Sequence, residues 1–555
     1  MLSLGSSMAS MNIIETLVLS AGHVSWFATP ENEWESLIFK HIPRWLAAMD
    51  NDVLHGFYFG DSSIYTKAHL SVWLRVFAFW AIFMLVLILT MLCINVIIRR
   101  QWTETERLSY PVIQLPDEIT KTDGTIFQNA LFRIGFLLTV AINILNGFHF
   151  YFPVIPQFRI RIPDIGHFFT IEPWNAVGWM PLVVYPWLVG MIFFIPLDLS
   201  FSCWFFYIFA KVQRIVGRVA GWETLPGFPY IYQQVIGGWL FLLFIALFLM
   251  RRHLKKIAIT GFRNLKNEDQ PISYRMAMGG MIFGIITLVF FCTVAGMSMW
   301  IALAFILLLL GKGLTVTRIR AELGPPHTEF YRVGAEYILY TALGSRRLGG
   351  NNLTMIAFLY FVDRATGSHP MPHQLEGFKL AQRAEINSKK LVVVMLLSSG
   401  VGMFFSFWAL LHFGYKLGVS THFTGYVGQP WESFGRLAHR LQYPSDTDYP
   451  GLLFIGLGFL FSLGLIAMRM RFLWWPLHPV GYVISSSGWI INWIWFSFLV
   501  SWMIKLIILK CGGIGNYRKA VPFFIGLILG ELVIGCFWEI FGLLMGIQRY
   551  AFYDA

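Results

Sequence analysis

Charged residues are scarce in this sequence. Asp, Glu, Lys and Arg make up 13% of the 555 residues, whereas hydrophobic residues make up 56%. Soluble globular chains carry about 25% charged residues, so this chain has too little polar surface to cover a water-soluble body. The composition excludes a soluble enzyme and a disordered protein, and it indicates a polytopic membrane protein.

Cysteine is equally scarce. All five cysteines lie in or beside apolar stretches, and none belongs to a C-x-x-C motif. We therefore interpret them as small apolar core residues rather than as disulfides or metal ligands. They are Cys93, Cys203, Cys292, Cys511 and Cys536.

Motifs of enzymes and nucleotide sites are missing as well. The sequence has no G-x-S-x-G, no H-E-x-x-H and no dinucleotide fingerprint. The string 311–313 (Gly-Lys-Gly) lacks the upstream glycine of a phosphate-binding loop. The string 369–373 (His-Pro-Met-Pro-His) lacks a Cys or carboxylate that would complete a zinc site. The sequence therefore predicts no catalytic residues, no cofactor and no metal site, and we do not expect an enzyme.

Long apolar runs, by contrast, are abundant. A transmembrane helix needs about 20 consecutive, mostly apolar residues, and many stretches meet that requirement. These candidate spans are residues 4–25, 70–98, 129–151, 174–196, 197–216, 233–250, 276–297, 299–317, 390–412, 450–468 and 520–546. We predict an all-α fold, a polytopic transmembrane helical bundle with about 11–13 membrane segments, some of them discontinuous or re-entrant.

Two further apolar segments, 333–362 and 472–509, are interrupted. The first breaks at residues 344–350 and the second at 485–488. Because basic residues flank both ends of each segment, we expect each to enter and leave on the same face of the membrane. Transporters often use such breaks to build substrate sites. The alternative is a bent helix that only packs.

The excess of basic residues indicates how the chain is oriented. The net charge is +12, which we attribute to cytoplasmic loops rather than to a nucleic-acid partner. If 70–98 runs from outside to inside, the inner segments hold 27 Lys and Arg and the outer segments hold 8. The inner segments are 99–128, 251–275, 318–390, 469–473 and 505–519, and the outer ones are 26–69, 152–173 and 413–449. The bias predicts a multi-pass protein with the lipid bilayer as its partner.

We expect three parts along the chain. Residues 1–25 form a partial N-terminal membrane helix, residues 26–69 form an extracytoplasmic cap segment, and residues 70–555 form the transmembrane helical domain. No Lys or Arg precedes Lys40, so the first apolar segment lacks the basic start of a signal peptide. We therefore expect the sequence to be a truncated or mis-started form of a longer protein.

Two strings at the cytoplasmic ends of spans hold candidate coupling or gating residues. The first contains Glu106 and Arg107 and continues to Pro111 and Pro116. Two prolines five residues apart predict a non-helical elbow at this point.

The second string follows the span 299–317 and contains Arg318 and Glu322. These residues lie about one helical turn apart and are expected to pair. Such a carboxylate serves either proton coupling or an interfacial salt bridge, and both readings stay open.

Carboxylates inside the apolar spans are the third group of candidates. Glu531 and Glu539 lie in the last span, and we expect them to face the protein interior close to one helix face. Gly526 and Gly530 give the same helix a spacing suited to close packing. The two carboxyls serve either ion coupling or structure.

Four further polar residues are candidates for the substrate pathway. Asn143 and Asn146 lie one turn apart in the span 129–151, where they either bind a polar ligand or join helices. His478 and Asn492 lie in the second broken segment.

Four strings, 26–34, 106–116, 371–376 and 478–482, resemble strings of one family of uncharacterised bacterial polytopic membrane proteins, labelled as a domain of unknown function. The resemblance covers essentially the whole chain. That family is distantly similar to the oligopeptide transporter superfamily, through the Glu-Arg-Leu-x-Tyr/Phe-Pro elbow and the Arg-Ile-x-Ala-Glu-x-Gly string. The resemblance implies an oligopeptide-transporter-like fold in the bacterial inner membrane, although the chain lacks the Asn-Pro-Gly signature of those transporters.

The leading functional hypothesis is a secondary transporter, coupled to protons or another ion, for a small polar solute such as a peptide or metal chelate. One alternative is a polytopic membrane enzyme of the lipid-linked glycosyltransferase type, suggested by cap acids such as Glu33 and Asp50. Another is a structural subunit of a membrane assembly. A homo-oligomer is also left open.

Overall fold

The computed structural model describes residues 13–119, 125–162, 164–262, 271–326, 328, 330, 332–364, 367–486, 488, 490–548 and 550. The fold is 78% helical, which confirms the all-α prediction. Strand structure in the described residues is one antiparallel pair, Arg161–Ile162 with Leu182–Val183, in which Arg161 lies opposite Val183. Residues 1–12 of the predicted first helix and Ser487 of the second predicted break lie outside the described residues.

Eight helices in the described residues are long and apolar enough to cross a membrane, which supports the prediction of a multi-pass membrane protein. The longest, Ile490–Met545, breaks at Gly513, whose φ of 62° lies in the left-handed region. The eight are Lys67–Thr105, Ala130–Tyr151, Ile231–Ile259, Tyr274–Val294, Met299–Leu323, Ser388–Leu417, Tyr449–Arg471 and Ile490–Met545.

Shorter helices connect and pack against these spans. The α-helices are Ile14–Trp26, Trp34–Leu37, Asn51–Phe59, Pro111–Ile119, Thr125–Gln128, Pro186–Phe194, Leu197–Val219, Ala335–Phe358, Tyr360–Arg364, Pro370–Arg383, Val419–His422, Thr424–Gln442 and Pro479–Ser486. Single turns of 3-10 helix occur at Phe39–His41, Gly166–Phe168, Trp174–Val177 and Trp222–Thr224, and Gln101–Thr105 is a π-helical turn.

Three predicted spans are not among the eight apolar helices. Of 4–25 only the part from residue 13 is described, and it forms the short helix Ile14–Trp26. The stretch 174–196 is not one helix, because a 3-10 turn, the strand Leu182–Val183 and the nine-residue helix Pro186–Phe194 follow one another there. Prolines recur through this stretch, and proline cannot continue a regular helix. The stretch 197–216 is helical, as Leu197–Val219, but it is not among the eight apolar spans.

The predicted elbow is present before Pro111, because residues 106–110 lie outside a helix, but it is absent between the two prolines. Residues Pro111–Ile119 form a short helix. Pro111 occupies the first turn, where its missing N–H is not needed. Only Pro116 therefore removes a hydrogen bond inside the helix.

The described residues fall into two compact units. Unit 1 combines residues up to 108 with 243–318 and 332–453, and unit 2 combines 109–242 with 319–331 and the residues from 454 onward. The division falls inside three long helices, because each of them supplies residues to both units.

In unit 1 the first predicted break is present. Helix Ala335–Phe358 is interrupted at Gly344 and Gly349, whose φ values of 71° and 74° favour glycine. Asp363 joins the two ends of the segment, because its carboxylate accepts the backbone N–H groups of Ala335 and Glu336 at 3.1 Å each. Residues 335–364 thus form a hairpin, called here the hairpin segment.

The tip of the hairpin segment contacts segments that the sequence places outside. Asn351 Oδ1 lies 2.6 Å from His41 Nδ1, and Arg346 donates to Asp446 at 2.7 Å. His41 belongs to the predicted cap and Asp446 to the outer segment 413–449. The sequence analysis places the cap and 413–449 outside and all of 318–390 inside. Because the tip of the hairpin segment contacts both outer segments, these two assignments cannot both be correct.

In unit 2 glycines allow close packing of helix Ala130–Tyr151 on the second half of Ile490–Met545. A Cβ atom on Gly526 would collide with the carbonyl oxygen of Phe132 and would lie 2.8 Å from Phe136 N. A Cβ on Gly530 would lie 2.6 Å from Phe136 O. The predicted close-packing role of both glycines is confirmed.

The second predicted break also lies in unit 2. Helix Pro479–Ser486 ends there, Gly488 has a φ of 109°, and the long helix begins at Ile490. A left-handed glycine between two helices lets the chain change direction without strain.

Candidate functional site

The short helix Pro186–Phe194 of unit 2 has an ionisable side chain at each end. At its first turn, Glu531 Oε2 accepts the backbone N–H of Trp187 at 2.7 Å. At its last turn, Lys505 Nζ donates to the carbonyl oxygens of Phe193 and Ile195 at 2.9 and 2.6 Å. A carboxylate at the N-terminus and an ammonium at the C-terminus both match the helix dipole. Pro186–Phe194 is called here the bracketed helix.

A polar stripe on helix Ile490–Met545 supports the chain around the bracketed helix. Ser497, Ser501 and Lys505 lie four residues apart and therefore share one helix face. Ser497 Oγ donates to Val183 O at 3.0 Å, and Ser501 Oγ donates to Val189 O at 2.9 Å. The stripe thus gives hydrogen bonds to a carbonyl of the strand Leu182–Val183 and to one of the bracketed helix.

Glu531 is the more distinctive of the two carboxylates predicted in this helix. Its side chain is 1% exposed, and Oε1 has no hydrogen-bond partner within the described residues. Glu539, by contrast, is exposed. The expectation that both face the interior is therefore wrong for Glu539, because eight residues correspond to about 80° of rotation around a helix.

The two predicted asparagines of helix Ala130–Tyr151 bind backbone. Asn143 Nδ2 donates to Thr139 O at 3.1 Å. Asn146 donates to Phe158 O at 3.1 Å and accepts the N–H of Phe158 at 2.8 Å. Both side chains are buried. Asn143 thus binds its own helix and Asn146 binds a loop residue, and neither of these contacts joins two helices. The choice between ligand binding and helix joining stays a prediction.

His478 and Asn492, the other predicted pathway residues, flank the second break. The backbone N–H of His478 donates to Ser202 Oγ at 2.7 Å, and His478 Nδ1 accepts the N–H of Val480 at 3.1 Å. Asn492 Oδ1 accepts the Tyr207 hydroxyl at 3.1 Å. These contacts anchor both sides of the break to helix Leu197–Val219.

A partly buried ion pair lies close to His478. Arg469 Nη1 donates to Asp198 Oδ2 at 2.5 Å. Asp198 is in the first turn of helix Leu197–Val219, where its carboxylate also matches the helix dipole.

In unit 1 the two predicted cytoplasmic strings are joined by an ion pair between Arg318 and Glu106. Arg318 Nη2 lies 2.7 Å from Glu106 Oε2, and both side chains are largely buried. The sequence places Glu322 as the partner of Arg318, whereas the tertiary structure supplies a carboxylate from 212 positions away. Arg107 is exposed, with φ of 52°.

In unit 2 the residues that follow Glu106 and Arg318 along the chain also contact each other. Ser109 Oγ donates to Glu322 O at 2.6 Å, and Tyr110 N donates to Ala321 O at 2.8 Å.

A buried charge network of unit 1 was not singled out from the sequence. Glu336 is 3% exposed and accepts from Arg436 Nε and Nη2 at 3.1 and 3.0 Å and from Arg440 Nη1 at 2.7 Å. Burial disfavours its ionised form, but the two guanidiniums outweigh that effect, so the pKa of Glu336 lies below its ordinary value. Glu336 lies outside the eight spans.

Glu432 extends this network. Its carboxylate lies 2.7 Å from Arg436 Nη1 and 3.6 Å from Arg332 Nε, and it accepts the Tyr360 hydroxyl at 2.8 Å. Glu432, Arg436 and Arg440 recur every four residues on helix Thr424–Gln442. That spacing is the sequence signal that could have found the network.

The Gly-Lys-Gly and His-Pro-Met-Pro-His strings meet beside the hairpin segment. Lys312 Nζ donates to Asp363 O at 2.5 Å and lies 3.8 Å from Asp363 Oδ1. A Cβ atom on Gly313 would lie 2.6 Å from the His369 ring. Burial and the Lys312 charge lower the pKa of His369 to about 3. Glycine at 313 is therefore needed for the approach of His369.

The acids of the predicted cap do not converge on a common centre in the described contacts. Asp50 accepts the backbone N–H groups of Asp52 and Val53 at 3.1 and 3.4 Å and so begins helix Asn51–Phe59. Asn32 accepts the N–H of Thr29 and Trp34 in the preceding turn. The contacts of Asp50 are those of a residue that caps the N-terminus of a helix.

A family model described as "Family of unknown function (DUF6785)" matches residues 1–554. No curated protein matches.

Proposed function

The chain belongs to this family of unknown function, DUF6785, and we propose that it is a secondary transporter, coupled to protons or another ion, that moves a small polar solute such as a peptide or metal chelate. The distant resemblance to the oligopeptide transporter superfamily is one reason for this proposal. Secondary transport also requires no covalent reaction at the protein.

The bracketed helix carries the proposal. Secondary transporters build their sites inside the membrane from short helices that span only part of the bilayer. The backbone groups at the ends of such helices need hydrogen-bond partners. Here both ends of Pro186–Phe194 depend on ionisable side chains of one spanning helix, Glu531 and Lys505. Ionisable residues inside spans are costly and are therefore functional candidates.

Glu531 is the proposed coupling residue. When ionised, it accepts the Trp187 N–H and opposes the positive end of the bracketed helix dipole. Protonation removes that charge and leaves an O–H that needs a new acceptor, so the N-terminus of the bracketed helix is held less tightly. A proton can in this way bias two positions of one short helix, which is the requirement for coupling.

The test is uptake into proteoliposomes with and without an imposed pH gradient. The probe is a mixed pool of short peptides and metal chelates, with the lumen analysed by mass spectrometry. We expect the wild type to accumulate a solute only with the gradient, and Glu531→Gln to lose this accumulation. Glutamine keeps an acceptor for the Trp187 N–H, so the variant tests the proton rather than the hydrogen bond.

Glu539→Gln is the matched control. It changes an exposed carboxyl on the same helix, and we expect gradient-driven accumulation to persist. Equal accumulation by Glu531→Gln and the wild type would remove the coupling role of Glu531. No accumulation by folded wild type would contradict transport of this solute pool.

A further inference from the structure

The buried carboxylate of Glu531 has no counter-charge among the described residues. Its Oε2 atom accepts the backbone N–H of Trp187, whereas Oε1 is closed to solvent and has no hydrogen-bond partner in the described part of the chain. Lys505, a buried cation of the same helix, donates instead to backbone carbonyls at the other end of the bracketed helix. An ionised carboxylate in an apolar interior is unfavourable unless a cation compensates it.

The end of the chain folds back over the helix face that carries Glu531. The long helix ends before Gly546, whose φ of 63° lies in the left-handed region. Tyr550 is 2% exposed and packs against Ile534 and Trp538, with 5.8 Å between the ring centroids of Tyr550 and Trp538. Ile534 and Trp538 lie three and seven residues after Glu531 and therefore share its helix face. Tyr550 thus covers this face.

The phenol of Tyr550 belongs to the surroundings of Glu531. Its hydroxyl is closed to solvent, and the phenol interacts with the Glu531 charge and with the Asn146 side chain. The Tyr151 hydroxyl donates to Gln548 O at 2.9 Å, which fixes the chain just before Tyr550 to the helix of Asn146. The Glu531 carboxylate and the Tyr550 hydroxyl are thus brought to the same buried part of unit 2.

These two groups fit a small, hard, monovalent cation. Carboxylate and hydroxyl oxygens are the kind of ligand that hard cations prefer. Burial raises the pKa of Tyr550 to about 12, so its phenol stays protonated and offers a neutral oxygen. A single carboxylate balances a single positive charge, whereas a divalent ion would bring an uncompensated charge into a buried site.

We propose that Oε1 of Glu531 and the hydroxyl oxygen of Tyr550 bind Na⁺, in competition with the proton of the proposed coupling step. The competition rests on the proposed function, whereas the binding of Na⁺ does not. Na⁺ compensates the carboxylate and leaves it ionised, so Oε2 keeps the Trp187 N–H, whereas a proton removes the charge. The other described groups around this site are the Trp187 N–H, the Tyr550 phenol and the Asn146 amide, which stay uncharged between about pH 5 and 8.

The experiment measures the binding of radioactive Na⁺ to the purified full chain in a neutral detergent. It is carried out at slightly alkaline and at slightly acidic pH, with unlabelled Na⁺ or K⁺ as competitor. We expect saturable binding to the wild type that unlabelled Na⁺ displaces and the same concentration of K⁺ leaves in place, because a larger cation fits the packed side chains around Tyr550 less well. Binding should be weaker at acidic pH, because the proton and Na⁺ share Oε1.

Three variants locate the site. Glu531→Gln should lose the binding, because it removes the charge that holds the ion. Tyr550→Phe keeps the ring and its packing but removes one oxygen, and it should weaken binding about tenfold or more. Glu539→Gln changes an exposed carboxyl on the same helix and is the matched control, which should bind like the wild type. Tyr550→Phe decides the question if Glu531→Gln does not fold.

The site is overturned if the folded wild type shows no saturable binding, if K⁺ displaces Na⁺ equally well, or if Tyr550→Phe binds like the wild type. Equal binding at both pH values would contradict the competition with the proton. The assay involves no transport. Na⁺ binding by a chain that accumulates no solute would support this site and contradict the proposed function, whereas accumulation without Na⁺ binding would do the reverse.

Discussion

Glu336 shows how the burial of a charged residue depends on its partners. Its carboxylate is 3% exposed and tolerated there because Arg436 and Arg440 supply three hydrogen bonds. Removing one member of a buried ion pair leaves the others uncompensated, which costs about 3–5 kcal/mol. An exposed pair contributes only about 0–1 kcal/mol.

We therefore predict that Glu336→Gln lowers the free energy of unfolding by about 3–5 kcal/mol. Asp446→Asn, which breaks the exposed pair with Arg346, should change it by less than about 1 kcal/mol. Unfolding of the purified protein, followed by tryptophan fluorescence, measures both. Equal losses in the two variants would mean that Glu336 contributes no more than a surface charge.

The pH dependence of the free energy of unfolding provides a control for the prediction on Glu336→Gln. Because the pKa of Glu336 in the folded state lies below its ordinary value of 4.5, its ionised form stabilises the fold at neutral pH. That contribution is lost as the pH falls below 4.5 and through the folded pKa. The difference between the wild type and Glu336→Gln should therefore shrink in acid.

At the scale of elements, helix packing in unit 2 depends on backbone approach at glycine. Helix Ala130–Tyr151 lies so close to Gly526 that a Cβ atom there would meet the backbone of Phe132 and Phe136. Backbone cannot move aside as the end of a flexible side chain can. Gly515, on the same long helix, has open space where a Cβ atom would lie, with no neighbouring atom within 4 Å among the described residues.

We predict that Gly526→Ala destabilises the protein by about 1–3 kcal/mol, the usual cost of overpacking. Gly515→Ala should stabilise it by about 0.5–1 kcal/mol, because alanine loses less backbone entropy in a helix. The midpoint of thermal unfolding measures both substitutions. Opposite signs support the packing argument, and a neutral Gly526→Ala would refute it.

The whole molecule combines long spanning helices with elements that do not span. Each unit has its own interrupted element, the hairpin segment in unit 1 and the bracketed helix in unit 2. The tip of the hairpin segment contacts His41 and Asp446. If the cap and 413–449 lie outside as predicted, Arg346 and Arg347 lie outside as well. The predicted inner-to-outer ratio of basic residues then changes from 27:8 to 25:10 and keeps its direction.

The orientation predicts which residues a membrane-impermeant maleimide reaches in intact cells. In a background in which the exposed Cys511 and Cys536 are serine, Ser36→Cys in the cap should be labelled without permeabilisation. Ala384→Cys, after helix Pro370–Arg383, should be labelled only after permeabilisation. Both positions are exposed and belong to unit 1. The reverse labelling pattern would invert the proposed topology.

Local physics let several features be predicted from the sequence. Apolar length marks helices that can cross a bilayer, and the glycines of 344–350 mark where a helix breaks, because only glycine adopts positive φ without strain. The single helix expected over 174–196 is absent for another local reason, because proline cannot continue a regular helix. The spacing of Gly526 and Gly530 likewise predicts close packing.

The sequence by itself thus determined the class of this protein, most of its long apolar helices and the two predicted breaks, because these depend on neighbours along the chain. Only the tertiary structure decided that Arg318 pairs with Glu106, that Glu336 meets Arg436 and Arg440, and that Glu531 is buried while Glu539 is exposed. A helix places its residues about 100° apart, but its rotation toward its neighbours follows from packing across the fold. The partner of a charged side chain is therefore a property of distant segments, which no local pattern encodes.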